Sequence, residues 1–102
     1  MFKNYKTPST REGNVEVTDT AVILYGITRF VPVETIPLSA IQSVRLSQPP
    51  VGLVPAEFEI HTADGRVFKR RSINGRRKIT QRFMDEAYTP IVKALTERDA
   101  AA

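Results

Sequence analysis

The chain has 102 residues, 41% hydrophobic and 25% charged, which suits one soluble domain with one core. It has no cysteine, which excludes disulfides and thiolate metal sites and fits a reducing, cytoplasmic setting. The net charge of +4 is unevenly spread: of 15 Lys and Arg, eight lie between Arg66 and Arg82 with no acid among them, and the rest of the chain sums to −4. No apolar run approaches the roughly 18 residues of a membrane span. The opening MFKNYKTPSTREGN lacks the apolar stretch of a secretory signal.

Residues 1–12 are polar and contain Pro8, which predicts a flexible N-terminal arm. Two short strands follow around Thr18-Asp19-Thr20. Val15 and Val17 alternate with polar residues, whereas Val22-Ile23-Leu24-Tyr25 is apolar on both faces and predicts a central, covered strand. Phe30, Val31, Val33 and Ile36 continue extended, with Pro32 and Pro37 limiting where the chain can pair. In IPLSAIQSVRL, Ser39 is placed to cap a single helical turn that turns Leu38 and Ile41 inward, after which Val44 and Leu46 resume strand alternation. Residues 47–55, SQPPVGLVP, read as a loop with three prolines and three aliphatic side chains.

EFEIHTADGRVFKRRS carries the sharpest local signal. Ala63-Asp64-Gly65 fits a three-residue hairpin loop, a type I turn with Gly65 left-handed. That loop sets Ile60 opposite Phe68 on the inner face, and Glu59 opposite Lys69 and Glu57 opposite Arg71 on the outer one. A two-residue loop would set Ile60 against Lys69 and waste the apolar pair. From Arg76 to about Glu97 the pattern is helical: Ile79, Phe83, Ala87, Ile91 and Leu95 recur at four-residue steps, flanked by Met84, Tyr88 and Val92. Asn74 is the expected N-cap. Pro90 is expected to kink the helix or to begin a second helical piece. A single domain over residues 13–97 and a frayed tail over 98–102 complete the reading. It is a mainly β, α+β chain of about six or seven short antiparallel strands, curved or split-barrel, closed by a C-terminal α-helix.

The succession VTDTAVIL, IPLSAIQSV, FEIHTADGRVF and a final helix resembles the small bacterial pleckstrin-homology-like (PH-like) domains over roughly residues 13–95. The resemblance lies in turn and hydrophobic positions. The chain departs from the pattern in the proline-rich loop 47–55 and at Pro90. What the resemblance implies is a partly open barrel of two orthogonal antiparallel sheets with a capping helix. It further implies a binding or assembly module, a shape used for membrane phosphoinositides, peptides and self-association.

No catalytic constellation is evident. His61 is the only histidine and falls on an outer strand face. Glu57 and Glu59 face basic partners, and no nucleophile elbow or phosphate loop occurs, so no enzyme, metal or cofactor is expected. Two binding features stand out. In the basic run, Lys69 and Arg71 are accounted for by cross-strand pairing. Arg76, Arg77, Lys78 and Arg82, with Arg70 at the rim, are the candidate anion-binding residues, since cations at a helix start are locally unfavourable without a ligand. Val51, Leu53 and Val54 form a candidate interaction loop, unless they fold back over the core. The leading expectation is a non-enzymatic module acting through self-association or a protein partner. The alternative is a binder of anionic ligands, lipid headgroups or nucleic-acid backbone, through the basic 66–82 face.

Overall fold

The computed structural model describes residues 10, 13–26 and 32–101. It has two three-stranded antiparallel sheets followed by one C-terminal helix. The first sheet contains β1 (Val15–Val17), β2 (Ala21–Tyr25) and β3 (Pro32–Pro37) in the order β1-β2-β3. A 3-10 turn, Leu38–Ala40, leads into the second sheet, made of β4 (Ile41–Gln48), β5 (Glu57–Thr62) and β6 (Val67–Arg71) in the order β4-β5-β6. The expected extension of β3 to Phe30 and Val31 lies outside the described residues.

The β5–β6 hairpin has the register that the charge and apolar alternation demands. Ile60 pairs with Phe68, Glu59 with Lys69 and Glu57 with Arg71. The Gly65 N–H donates to Thr62 O, and Gly65 adopts φ +90°. The Thr62 hydroxyl reinforces the turn, accepting the Arg66 N–H and donating to Asp64.

β2 is central in its sheet but covered on one face only. Val22 and Leu24 are buried, whereas Ile23 and Tyr25 are half-buried, and the Tyr25 hydroxyl donates to Glu16 on the outer face at 2.7 Å. The 3-10 turn does turn Leu38 and Ile41 inward, as expected. Ser39 does not cap it, however, because Pro37 holds the N-cap position and no side chain bonds there.

The helical region comprises α1 (Arg77–Phe83), a π turn (Met84–Tyr88) and α2 (Thr89–Ala101), with helical dihedrals at both joints. Pro90 therefore does not split it. A proline removes one amide donor and crowds the carbonyl four residues back. The π turn just before Pro90 widens the spiral there, the Thr89 N–H reaching Met84 O five residues back. The wider turn also suits the apolar stripe. At 3.6 residues per turn, four-residue steps drift by about 40° each, and a local underwinding keeps Phe83, Ala87, Ile91 and Leu95 on the buried side.

α2 runs on to Ala101 rather than ending near Glu97. Arg98 ties it down, its guanidinium donating to Leu38 O at 2.5 Å and Ile41 O at 2.6 Å. Phe58 from β5 meets Phe83 at 5.3 Å and Tyr88 at 5.9 Å between ring centroids, joining the helix to the second sheet. At the other end of the chain, Thr10 is buried and bridges to Ser72 beside β6, and the rest of the expected N-terminal arm lies outside the described residues. None of the helices described is long and apolar enough to cross a membrane.

Candidate functional site

The loop after β4 and the segment between β6 and the helix are brought together by a buried serine. The Ala56 N–H donates to Ser72 Oγ at 3.0 Å, the Ser72 N–H returns to Ala56 O at 2.9 Å, and the Ser72 hydroxyl donates to Asn74 O at 2.8 Å. The start of β5 and the exit of β6 are thereby locked side by side. Asn74 is not the N-cap. Its side-chain oxygen accepts the Arg76 N–H at 2.9 Å, a local turn bond. Arg76 stays extended, at φ −66° and ψ 142°, and is itself the N-cap residue. The helix starts later than expected because residues 74–76 are drawn into this turn.

Between Asn74 and Arg76, the Gly75 backbone packs directly against the Leu53–Val54 peptide. A Cβ on Gly75 would stand 1.7 Å from Leu53 O and 2.7 Å from Val54 N. The loop thus rests on the helix start through its backbone, and the Val54 N–H closes a turn onto Val51 O. Its side chains are left to project. Leu53 is 82% exposed, Val51 61% and Val54 48%. Of the two readings of this loop, folding back over the core is overturned: the backbone takes the inner position, and the aliphatic groups face solvent.

Of the five candidate anion-binding residues, Arg77, Lys78 and Arg82 line one concavity of about 620 Å³, which Gln81, Asp85 and Glu86 share, and Arg70 and Arg76 are not part of it. Arg76, Arg77 and Lys78 are exposed, and none makes an ion pair with a described residue. Arg82, one turn on, is bound by Glu86 at 3.2 Å. Arg70 is half-buried on β6 and donates to Lys69 O at 2.9 Å. What remains is a triplet of cations immediately following Gly75, beside an aliphatic tip. The free-amide anion seat is also reduced, since the Arg76 N–H is already taken by Asn74.

The outer face of the β4-β5-β6 sheet differs. Glu59 sits among Arg45 at 3.5 Å, Lys69 at 3.7 Å and His61 at 2.8 Å, and Glu57 lies 4.0 Å from Arg71 and accepts from Ser47 at 2.6 Å. The His61 hydrogen bond, helped by the two cations, holds the Glu59 carboxyl below the usual range. In the hairpin turn, the Thr62 hydroxyl and Arg66 do the same for Asp64. Arg66 also reaches Glu34 on β3 at 3.5 Å and covers the Phe68 ring at 5.3 Å.

A groove of about 750 Å³ lies along α2 against the Thr18–Thr20 turn and the 3-10 turn. Its charges alternate, Asp19 and Glu97 against Lys93 and Arg98. The sequence gives no sign of it, because its walls come from three distant segments.

No family model matches this chain, and neither does any curated protein or solved structure.

Proposed function

We propose that this chain is a non-enzymatic interaction module, a PH-like split barrel capped by its helix, that docks on an anionic membrane surface. Its docking face is the tip Val51–Leu53–Val54 with the helix start Arg76–Arg77–Lys78. The two three-stranded sheets, the Thr10–Ser72 bridge between the N-terminal segment and the exit of β6, and the helix packed on Phe58 support the architecture.

The observation that carries the function is the Gly75 contact, which sets an exposed aliphatic tip beside three cations that have no ion-pair partner among the described residues. The chemistry suits both halves. A Leu side chain moved out of water contributes about 1.5–3 kcal/mol. Each Lys or Arg near an anionic leaflet adds about 1 kcal/mol. Either alone gives only marginal binding, and stable peripheral anchoring takes two such signals together. The cations would also exchange an unfavourable place at a helix start for a favourable one against lipid phosphates. On this reading the chain would act at the cytoplasmic leaflet, where anionic lipids concentrate.

Nucleic acid fits the face less well. Phe83 is buried and Phe68 lies half-buried under Arg66, so neither of these rings stands ready to stack a base.

The exposure of three aliphatic side chains on one loop also favours a second reading, contact with a second copy or another protein. A two-fold contact centred on Leu53 would bring the cationic triplets of both copies together, which opposes it.

Sedimentation with phosphatidylcholine vesicles, with and without phosphatidylserine, tests the proposal. Binding is expected only with the anionic lipid, weaker at high salt, lost in R76Q/R77E/K78Q and reduced in Leu53→Ser. Association seen by light scattering without vesicles, persisting at high salt and removed by Leu53→Ser, would replace this reading by self-association.

A further inference from the structure

We infer that Gly75 is the positioning residue of the docking face: its missing side chain fixes the offset between the aliphatic tip and the cationic helix start. This rests on the docking function proposed above and assigns a role to a residue that would itself touch no lipid.

Gly75 is buried and does not have positive φ, so its backbone conformation does not call for glycine. Space does. A Cβ there would stand 1.7 Å from Leu53 O and 2.0 Å from the Leu53 carbonyl carbon, both backbone atoms that no rotamer change can move. Neither side can yield easily. Residue 75 is held between Asn74, whose carbonyl accepts from Ser72, and Arg76, whose N–H is bound by the Asn74 side chain. Ser72 is in turn bonded to Ala56 in both directions. On the loop side, Pro50 and Pro55 stiffen the approach and exit, and the Val54 N–H closes onto Val51 O.

Any side chain at position 75 therefore lifts the Leu53–Val54 peptide off its seat and away from Arg76–Lys78. Two weak contacts reinforce each other only while their geometry lets both engage at once. Displacing the tip uncouples them without removing a single group from the face.

The absence of cysteine makes Leu53→Cys a unique attachment point for an environment-sensitive dye on the full chain. Although the side chain at 53 faces solvent, the seated loop backbone is expected to give the dye a higher fluorescence anisotropy in solution than an unseated loop would, and the dye is expected to shift to the blue on vesicles of phosphatidylcholine with phosphatidylserine. With Gly75→Ala added, the dye should turn freely and lose its blue shift. Salt-sensitive binding should persist with affinity lowered about ten- to hundredfold, the share of one Leu-sized insertion.

Far-UV circular dichroism and a thermal melt establish that the variant is folded. Should Gly75→Ala fail to fold, a second variant adds one glycine after Pro50 and one after Pro55. It frees the loop while keeping Gly75 and every side chain of the face, and long loops tolerate such insertions. The same loss is expected. Parental blue shift and affinity in either folded variant would overturn the positioning role while leaving the docking function standing. Failure of the unsubstituted chain to bind the vesicles would remove the docking function and this role with it, while dye mobility in solution would still show whether Gly75 seats the loop.

Discussion

Two basic regions lie close together in this chain and meet opposite fates. On the outer face of the second sheet, Arg45, Lys69 and Arg71 are matched by Glu59 and Glu57. At the helix start, Arg76, Arg77 and Lys78 make no ion pair with a described residue. The cause is periodicity. Strand neighbours on one face repeat every two residues, so Glu57 and Glu59 line up with Arg71 and Lys69 across a single hairpin. On a helix the neighbours lie three and four residues on. From Arg76, Arg77 and Lys78 these are Ile79, Thr80, Gln81 and Arg82, none of them acidic. Arg82 does find Glu86 at that spacing. A cation count alone would score both regions alike, yet only the second leaves its cations without an ion pair to a described residue.

The largest effect breaks both regions at once. Phe83 is fully buried and meets Phe58, the residue beneath the paired charges, at 5.3 Å. Phe83→Ala is expected to cost about 3–5 kcal/mol, leaving a domain of this size close to unfolded at room temperature. Urea denaturation followed by circular dichroism measures it. A midpoint near the parent's would mean that the helix does not hold the second sheet.

The next contrast separates the regions. R76Q/R77E/K78Q should weaken binding to anionic vesicles by about hundredfold or more, at roughly 1 kcal/mol per cation removed. It should leave stability equal or slightly higher, since charges opposing the helix dipole cost about 0.3–1 kcal/mol each. K69Q/R71Q removes charge of the same kind nearby and should leave binding within a few-fold of the parent. Equal losses from the two variants would show that net charge, rather than the helix start, governs binding.

Much of this contrast was legible in the residues themselves. The hairpin register followed from Ala63-Asp64-Gly65 and the alternation around it, because a turn of fixed length and a two-residue period leave one solution. The helix stripe was equally plain. The seat of the loop was not. Gly75 is set by a close approach between segments more than 20 residues apart, and nothing local marks it, since Asn-Gly reads only as a turn. The exposure of Val51, Leu53 and Val54 ran against their chemistry, because apolar residues ordinarily signal burial, and here the backbone took the inner position. Thr10 gave no sign of its pairing, as a single bridge has no period. Pro90 signalled a disturbance, but the choice of a π turn depended on the stripe it keeps buried.

Gly65→Ala tests the device that aligns the paired region. Gly65 has φ +90° with open space around it, so an added methyl group meets no neighbour and the cost is conformational. About 1 kcal/mol of destabilisation is expected, read as a lowered urea midpoint. Vesicle binding should be untouched, because the hairpin tip is no part of the proposed docking face. Unchanged stability would mean that the turn does not depend on a left-handed residue.

The smallest effect concerns acid, and it belongs to the paired region alone. Glu59 is held below its ordinary value of 4.5, first by the His61 hydrogen bond and then by the positive charges of Arg45, Lys69 and His61, against the opposing effect of burial. A carboxyl depressed in the folded state gives stability that is complete above its unfolded pKa. That stability is lost as pH falls through the lower folded one, because the unfolded chain takes up the proton first. The domain should therefore weaken as pH drops below about 4.5, and Glu59→Gln should flatten part of that decline. Asp64, depressed from 3.8 by the Thr62 hydroxyl and Arg66, should supply a remaining slope at lower pH. Urea midpoints at successive pH values from neutral downward measure both. The helix start holds no carboxylate, so R76Q/R77E/K78Q, whose introduced Glu faces no cation-rich pocket of this kind, should keep the parent's acid profile. An unchanged slope in Glu59→Gln would mean that the ion-pair cluster on the sheet leaves the folded state no more acid-sensitive than the unfolded chain, and that the pairing, though geometrically complete, contributes nothing to stability.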